Sequence, residues 1–255
     1  MKKIAILLLV AIISVSCKTE SKKDASTSSA NKKKENFPSE LAKVFEKHGG
    51  IDEWRKMRTL SFNRGDEAHT TDLWSRKTVV NEPNYSLGYD GSEVWLSQKD
   101  STSFKSNPTF YYNLYFYFYT MPFVLADDGI TYEKIEPLVF KGEEYPGFKI
   151  SFTSEKGTSP DDNYVIYYNA ETHQMEWLGY TVTYYSKKSS DKFNIIRYND
   201  WENVGGFKLP KSITWYKKDE KGAPTEPARP ATEFSLSIVN KTALDDSFFK
   251  KPTEE

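Results

Sequence analysis

The chain has 255 residues, which is enough for one sizeable domain. Its 35 basic and 36 acidic residues nearly balance, and this balance excludes the broad basic surface that nucleic-acid binding requires. A single cysteine excludes an internal disulfide, so burial and hydrogen bonding must hold the fold together.

The N-terminus has the layout of a secretion signal. A basic start at Lys2 and Lys3 precedes an apolar run at residues 4–13, which is too short to span a bilayer. Small residues then lead to Cys17, an arrangement that resembles the lipobox of bacterial lipoproteins. We therefore predict a signal peptide at residues 1–16 and acylation of Cys17. The alternatives are a plain secretory signal with an incidental cysteine and an uncleaved anchor.

A polar stretch follows the cysteine. Residues 18–36 contain no large apolar side chain and many Ser, Thr and Lys, so we predict that residues 17–36 are a lipidated, disordered tether. In Gram-negative lipoproteins the residues after the cysteine influence sorting, and Lys18 and Thr19 lack the Asp that retains such proteins at the inner membrane. We expect the chain to reach the cell envelope and to contact the outer membrane through its N-terminal lipid.

The folded part is expected to begin at Phe37 with a short broken helix. Ser39 suits the N-cap, and apolar residues within 41–45 repeat at helical spacing. The triplet at residues 48–50 contains two glycines, which end the helix, and Asp52 suits the start of a second short turn.

From Leu60 onward the hydrophobic period changes to two, which is typical of strands. The predicted strands are 59–64, 69–80, 85–90, 93–98, 134–140, 146–153, 163–169, 174–186, 192–201, 207–217 and 231–240. Their close spacing predicts a mainly β (α+β) fold, built on one large curved antiparallel sheet of about ten or eleven strands.

One segment, residues 107–126, breaks the strand pattern. Asn107 and Pro108 suit the start of a helix, Pro122 interrupts it, and a turn at residues 127–129 ends it. The segment is apolar or aromatic nearly all round, which predicts burial on more than one side. A membrane span is the competing interpretation, but the many tyrosines and Pro122 disfavour it. A helix that plugs the concave side of the curved sheet explains the composition better.

Five stretches carry motifs that occur together, and in this order, in one known family. They are LAKVFEKHGGIDEWRKMRTLSF (41–62), YDGSEVWLS (89–97), YYNAETHQMEWL (167–178), VGGFKLPKSITWY (204–216) and FSLSIVNKTALDDSFFKKP (234–252). Together they resemble the LolA/LolB/LppX-like lipoprotein-carrier superfamily, and within it an uncharacterised branch of bacterial envelope lipoproteins.

The resemblance implies that residues 37–255 form a single β domain, an unclosed half-barrel with helices inside or across its mouth. Members of the family bind acyl chains of lipoproteins, or other lipids, in a hydrophobic cavity without covalent chemistry. Large side chains of the sheet and of the plug segment are then candidates for contact with such a ligand, with ordinary core packing as the competing interpretation. The candidate wall residues are Trp74, Trp95, Phe148, Ile150, Trp177 and Trp215. The candidate lid residues are Phe110, Leu114, Phe118, Met121 and Phe123.

The sequence carries no pattern typical of a catalytic or metal site. His48, His69 and His173 lie far apart, and His69 and Asp72 would point to opposite faces of a strand. There is no HExxH motif, no paired-cysteine site and no Gly-x-Ser-x-Gly elbow. We therefore predict no catalytic residue, no metal and no cofactor.

These patterns together predict a non-enzymatic, lipid-anchored envelope protein that binds an acyl chain or another lipid. One alternative is a structural or interaction lipoprotein whose barrel is filled by its own helix and which binds another envelope protein. Another is an enzyme acting on envelope glycans or lipids.

Overall fold

Antiparallel strands dominate the part of the chain that the computed structural model describes, which comprises residues 37–127, 129–152, 162–186, 188 and 190–253. The predicted signal peptide, Cys17 and the predicted tether lie outside these residues. In chain order the strands are β1 (Thr59–Arg64), β2 (Glu67–Asp72), β3 (Thr78–Glu82), β4 (Tyr85–Tyr89), β5 (Val94–Gln98), β6 (Ile130–Phe140), β7 (Glu143–Phe152), β8 (Tyr164–Tyr168), β9 (Met175–Tyr180), β10 (Asn194–Val204), β11 (Phe207–Lys218), β12 (Pro224–Pro227), β13 (Thr232–Glu233) and β14 (Ser235–Asn240).

Hydrogen bonding divides these strands into two ladders. The first sheet has the order β14-β1-β2-β3-β4-β5, and the second has the order β12-β11-β10-β9-β8-β7-β6, with β13 pairing to β11. The stretch from Thr232 to Asn240 belongs to both sheets, because β13 pairs with β11 and β14 pairs with β1. The two ladders thus continue into one open, curled antiparallel layer, and the predicted mainly β half-barrel is confirmed.

In the described part of the chain the helices are few and short. They are α1 (Ser39–Lys47), α2 (Ile51–Trp54), α3 (Pro108–Tyr111) and α4 (Leu114–Tyr119), with 3-10 helices at Phe123–Ala126 and Asp246–Phe249. The main hydrophobic core lies between α1, α2 and α4 on one side and the inner faces of both sheets on the other.

Helix α1 begins at Ser39, with Pro38 in the cap position. Ser39 is therefore the first helical residue and not the predicted cap.

His48 ties the end of α1 to the second sheet. The backbone N–H of Met175 donates to His48 Nε2 at 3.1 Å, which leaves the proton on Nδ1 to donate to the carbonyl of Lys208 at 3.0 Å. Burial lowers the pKa of His48 to about 4, so the ring is neutral at pH 7.

A tight turn divides the strand that was predicted over residues 69–80. The Asp72 carboxylate accepts hydrogen bonds from the backbone N–H groups of Trp74 (3.1 Å) and Ser75 (2.8 Å), and Arg76 then has a φ of 63°. The chain therefore reverses between β2 and β3, and Trp74 lies in the turn with 63% of its surface exposed. The structure has more strands than the sequence predicted, and the division of this predicted strand into β2 and β3 accounts for part of the difference.

The predicted plug helix over residues 107–126 consists of three short helical pieces. Its start is as predicted, because Asn107 Oδ1 accepts a hydrogen bond from the Thr109 N–H at 2.9 Å and Pro108 occupies the first turn. The second piece stops before Pro122, which has no N–H to donate and therefore cannot continue a helix.

Protonation of His48 is expected to destabilise the fold. Because its folded pKa of about 4 lies below the ordinary value of 6.5, its contribution is complete above pH 6.5 and is lost as the pH falls toward 4. We expect His48→Gln to be less stable by about 1–3 kcal/mol at pH 7.5 and to lose less stability than the wild type between pH 6.5 and 4.5. The measurement is the urea unfolding free energy as a function of pH.

Gln98→Asn is the matched control, since Gln98 is an exposed, non-titrating residue at the end of β5, and it should keep the pH dependence of the wild type. His48→Gln is expected to reduce the pH dependence of stability without abolishing it, because burial also lowers the pKa of His69. An identical slope in His48→Gln and the wild type would contradict the assignment.

Candidate functional site

The aromatic segment (Asn107–Ala126) lies between the two sheets and contacts both. On α4, the Phe118 ring meets Trp215 of the second sheet edge-on, with ring centroids 5.5 Å apart. The next residue, Tyr119, stacks on Phe62 of the first sheet at 4.2 Å, and its hydroxyl donates to Ser237 Oγ at 2.6 Å. Consecutive residues of one short helix therefore pack against opposite sheets.

The C-terminal part of the aromatic segment, here called the deep half (Phe116–Ala126), is held through its backbone. The Tyr198 hydroxyl donates to the Phe118 carbonyl at 2.8 Å, and the Tyr132 hydroxyl donates to the Leu125 carbonyl at 2.7 Å. Every residue of the deep half is buried except Tyr117, which is half-buried. Hydrogen bonds and burial together fix this half in the core.

The N-terminal part, here called the shallow half (Asn107–Tyr115), is attached differently. All of its residues are half-buried or exposed. Among the described residues, no side chain outside the segment hydrogen-bonds to its backbone. Its polar attachment to the sheet is the hydroxyl of Tyr111, which donates to Glu67 Oε1 at 2.6 Å and accepts from Arg64 Nη2 at 2.6 Å.

Tyr111 joins a buried polar group on the first sheet, here called the Glu67 cluster (Arg64, Glu67, His69, Tyr85 and Tyr111). Glu67 Oε2 contacts Arg64 Nη2 at 2.8 Å and His69 Nε2 at 2.9 Å, while Tyr85 and Tyr111 both donate to Oε1. The Glu67 and His69 side chains are almost fully buried. Strand alternation places these two residues, two positions apart on β2, on the same face.

Electrostatics keep Glu67 ionised in this setting. Burial alone raises the pKa of the carboxyl, but hydrogen bonds from His69, Tyr111 and Tyr85 and the charge of Arg64 outweigh it, and the pKa falls to about 2. Burial also lowers the pKa of His69, against the opposing effect of Glu67, so this ring is neutral. With both carboxylate oxygens engaged, Glu67 acts as a hydrogen-bond acceptor that positions Tyr111.

A pocket of about 480 Å³, here called the rim pocket, opens between the β4–β5 hairpin and the aromatic segment. Its volume lies in the range of about 300–1,000 Å³ that small-molecule sites occupy. It is lined by Tyr89, Ser92, Val94, Thr109, Tyr112, Asn113 and Tyr117.

The structure separates the predicted wall residues into those that face the aromatic segment and those that do not. Phe148 and Ile150 are buried in the main core, and Trp215 packs against it. Trp95 is on the opposite face of the first sheet, where it packs on Phe249 and its Nε1 donates to the Phe249 carbonyl at 2.8 Å. The inward position predicted for Trp95 is therefore wrong.

Trp177 and Trp74 also lie away from the predicted wall. Trp177 is fully buried on the other face of the second sheet, in a cluster where it meets Phe140 (4.9 Å) and Tyr216 (5.0 Å). Trp74 lies in the β2–β3 turn, where Arg58 is stacked over its ring at 4.2 Å. Both faces of the second sheet are covered, so a large apolar residue such as Trp177 can be buried on either side. Trp74 departs for a different reason, because the chain turns at this position and leaves the side chain exposed.

The predicted lid residues follow the division of the aromatic segment. Phe118, Met121 and Phe123 are buried in the main core, whereas Leu114 is half-buried against it. Phe110 is half-buried and contacts the rings of Tyr184 and Tyr185 at 5.1 and 5.4 Å.

Sequence reasoning missed the Glu67 cluster. The pair that it considered on β2 was His69 with Asp72, but the residue that binds His69 is Glu67, two positions away on the same face. The detectable signal was the Glu–x–His spacing in a strand, together with Arg64 just before the turn.

Among the described residues, no group of three or more His, Cys, Asp or Glu side chains is arranged to hold a metal ion. In the same part of the chain, no helix has the length and apolar character of a membrane span.

Three solved structures are similar to this chain over most of its length. A LolA superfamily protein from Nitrosomonas europaea has 10% identity and a TM-score of 0.39, and the match covers 82% of this chain and 96% of that one. A DUF1329 family protein from Desulfovibrio piger has 11% identity and a TM-score of 0.42, with 81% and 95% covered. A domain named for outer membrane lipoprotein sorting, from Vibrio parahaemolyticus, has 9% identity and a TM-score of 0.35, with 80% and 96% covered.

One of these names is that of the LolA superfamily, which the sequence motifs also resemble. No protein-family model matches the chain, and no curated protein matches it in sequence.

Replacing Glu67 should loosen the shallow half without unfolding the core. We expect Glu67→Gln to lower the unfolding free energy at pH 7 by about 1.5–3 kcal/mol, because hydrogen bonds to a charged group are lost. Because the folded pKa lies below the ordinary 4.5, the contribution of Glu67 is complete above pH 4.5 and is lost as the pH falls toward 2. Denaturant unfolding measures the stability, and amide hydrogen exchange of residues 108–115 measures the loosening.

Glu226→Gln is the matched control, because Glu226 forms an exposed ion pair with Lys217, and it should leave both measurements nearly unchanged. Unchanged exchange in residues 108–115 of Glu67→Gln would contradict the attachment inferred here.

Proposed function

We propose that this protein binds a hydrophobic ligand of the acyl-chain type, without covalent chemistry, by displacing the shallow half of the aromatic segment. The observation that carries this proposal is the division of one aromatic segment into two halves. The deep half is buried and hydrogen-bonded through its backbone, whereas the shallow half is attached to the sheet through side chains. A segment of this kind can open at one end while its other end stays in place.

The free energies of exposing and burying apolar groups favour opening at the shallow end. Exposing a fully buried Phe or Met side chain costs about 1.5–3 kcal/mol, so removal of the deep half, with Phe118, Met121 and Phe123, would cost several such increments. The shallow half has no fully buried side chain to expose. An acyl chain gains about 0.8 kcal/mol for each CH₂ that it buries, so a chain of ordinary length can offset the displacement of the shallow half.

The chemistry of the titratable groups supports binding over catalysis. Glu67 is ionised and both its oxygens are engaged, while His69 is neutral and buried against Phe62, with ring centroids 4.8 Å apart. A general acid or base needs access to substrate and a pKa near the working pH, and Glu67 has neither.

Anchoring at the membrane completes the proposal. Acylation of Cys17 would attach the chain to the cell envelope, at the outer membrane, and residues 18–36 would connect the anchor to the β domain. Several acyl chains on one cysteine hold a protein firmly. We therefore propose a fixed binder of lipid at the membrane surface and not a soluble shuttle between membranes.

A second candidate function is favoured by the packing of the deep half. Trp54 stacks on Phe123 with centroids 4.3 Å apart and planes 7° from parallel, and Arg76 pairs with both Asp127 oxygens at 2.9 Å. A segment held this firmly suits an interaction lipoprotein whose barrel is filled by its own chain and which binds another envelope protein.

Weakening the attachment of the shallow half should strengthen ligand binding. Tyr111→Phe keeps the ring and removes the hydroxyl that contacts Glu67 and Arg64, so the open form becomes more populated and the apparent Kd falls with that population. We expect several-fold tighter binding of a fluorescent fatty acid, displaced by palmitate, than in the unsubstituted chain. Both the variant and the chain without Tyr111→Phe carry Cys17→Ser, so that any effect of the residues before Phe37 on the measured Kd is the same in each.

Tyr216→Phe is the matched control, because its ring packs on Trp177 on the other face of the second sheet, and it should not change the Kd. If neither the unsubstituted chain nor Tyr111→Phe binds the probe, the acyl-chain proposal fails and the self-filled interaction protein is favoured.

The anchoring proposal is tested separately. In a bacterial host that acylates lipoproteins, we expect the wild-type chain to incorporate labelled palmitate and to fractionate with membranes. Cys17→Ser should lose the label and leave the membrane fraction. Ser16→Ala, which changes a small residue beside the cysteine, is the control and should stay labelled. A wild-type chain that takes up no label would contradict the proposal.

A further inference from the structure

The rim pocket differs in chemistry from the apolar core that surrounds the deep half. None of its seven lining residues carries a formal charge, and every one except Val94 has a side-chain hydroxyl or amide. Tyr89 and Tyr112 present aromatic surface there, with ring centroids 5.4 Å apart and planes tilted by 41°. The pocket thus combines aromatic faces with neutral hydrogen-bonding groups.

Several of these polar groups have unused hydrogen-bonding capacity. The hydroxyls of Tyr112 and Tyr117 and the side-chain amide of Asn113 make no hydrogen bond to any residue in the described part of the chain. Asn113 occupies the cap position of α4, yet its side chain does not cap the helix. Three side chains on one wall are therefore available to bind a ligand.

These hydroxyls can both donate and accept at neutral pH. Burial, reinforced by Tyr117 and Tyr89, raises the pKa of Tyr112 to about 12, and burial also raises the pKa of Tyr117. Both side chains keep their protons, so each can donate one hydrogen bond and accept others.

We propose that the rim pocket binds a neutral saccharide of one or two pyranose rings. A pyranose has an apolar C–H face that suits an aromatic ring and a rim of hydroxyls that suits Tyr and Asn side chains. A phosphate, carboxylate or ammonium ligand would find no opposite charge among the lining residues. An acyl chain would leave the polar groups without partners, at about 1–3 kcal/mol for each group that it buries.

The location of the pocket supports this assignment and separates it from the proposed acyl-chain site. One wall is the β4–β5 hairpin, and the other contains Thr109, Tyr112 and Asn113 of the shallow half. The volume of about 480 Å³ is present while the aromatic segment is packed in place. A saccharide therefore needs no displacement of the segment, and this inference goes beyond the acyl-chain proposal without depending on it. The saccharide could be free or the head of a glycolipid, and both present the same chemistry.

Calorimetric titration of the full chain carrying Cys17→Ser tests the proposal. The probes are neutral mono- and disaccharides of glucose, galactose and mannose, with glucose 6-phosphate and glucosamine as charged counterparts. Two amphiphiles, an octyl glucoside and an octyl phosphocholine, are titrated as well, both below their micellar concentrations. We expect saturable binding of at least one neutral sugar and at least tenfold weaker binding of its charged counterparts.

Two variants assign the binding to the rim pocket. Asn113→Ala and Tyr112→Phe should each weaken sugar binding by about threefold to tenfold, since each removes a hydrogen bond worth about 0.5–1.5 kcal/mol. Tyr216→Phe, outside the pocket, should bind as the unsubstituted chain does. Near-ultraviolet circular dichroism checks that the aromatic packing of each variant is retained.

The outcomes separate this proposal from the acyl-chain proposal. Binding of free sugar that the two variants weaken supports a saccharide site, and tighter binding of octyl glucoside than of glucose then indicates a glycolipid head. Equal binding of both octyl amphiphiles without binding of free sugar overturns the saccharide site and leaves the acyl-chain proposal standing. Three other results also overturn the saccharide site. The first is that no sugar binds, and the second is that the charged sugars bind as tightly as the neutral sugar or more tightly. The third is that a sugar binds but that Asn113→Ala and Tyr112→Phe both leave its binding unchanged.

Discussion

Burial of the aromatic segment between the two sheets is the interaction on which the rest of the structure depends. Each sheet has an inner face of large apolar side chains, and neither ladder alone can remove that face from water. Phe118 packs on the second sheet and Tyr119 on the first, so one helical turn covers both. The stretch from Thr232 to Asn240 joins the sheets at their edges, and the aromatic segment joins them across their faces.

The Glu67 cluster makes the position of the shallow half depend on a buried charge. An ionised carboxylate in the core is tolerated only if its oxygens are engaged, and Tyr111 supplies one of the necessary donors. Withdrawal of the shallow half would therefore remove a donor from Glu67 as well as expose aromatic surface. Arg64, His69 and Tyr85 would remain, so the carboxylate would keep enough partners to stay ionised. The open state that we propose would therefore be higher in free energy but still folded.

Period-two patterning and local capping chemistry were sufficient to predict the fold class, because they depend on neighbours in the sequence. The start of the aromatic segment at Asn107 is one example. The same patterning could not decide which face of a strand meets the segment, since Trp95 and Trp177 are buried on faces covered by distant elements. Trp74 was misplaced because the Asx turn made by its neighbour was not recognised. Glu67 was missed because a charged residue in a strand usually faces water, and because two of its partners, Tyr85 and Tyr111, lie on β4 and α3, far away in the sequence.

The distribution of Phe and Tyr along the aromatic segment distinguishes its buried end from the end that we propose to move. Beyond Tyr119 the deep half has no tyrosine, and Tyr119 itself is paired with Ser237. In and beside the shallow half, Tyr111 is paired with Glu67, while Tyr112 and Tyr117 line the rim pocket. A buried hydroxyl needs a partner in every state of the protein, whereas a hydroxyl at a wet rim can exchange water for a ligand at little cost. In the proposed open arrangement of the shallow half, the hydroxyls of Tyr112 and Tyr117 would therefore bind water at little cost, whereas Tyr111 would lose its hydrogen bond to Glu67.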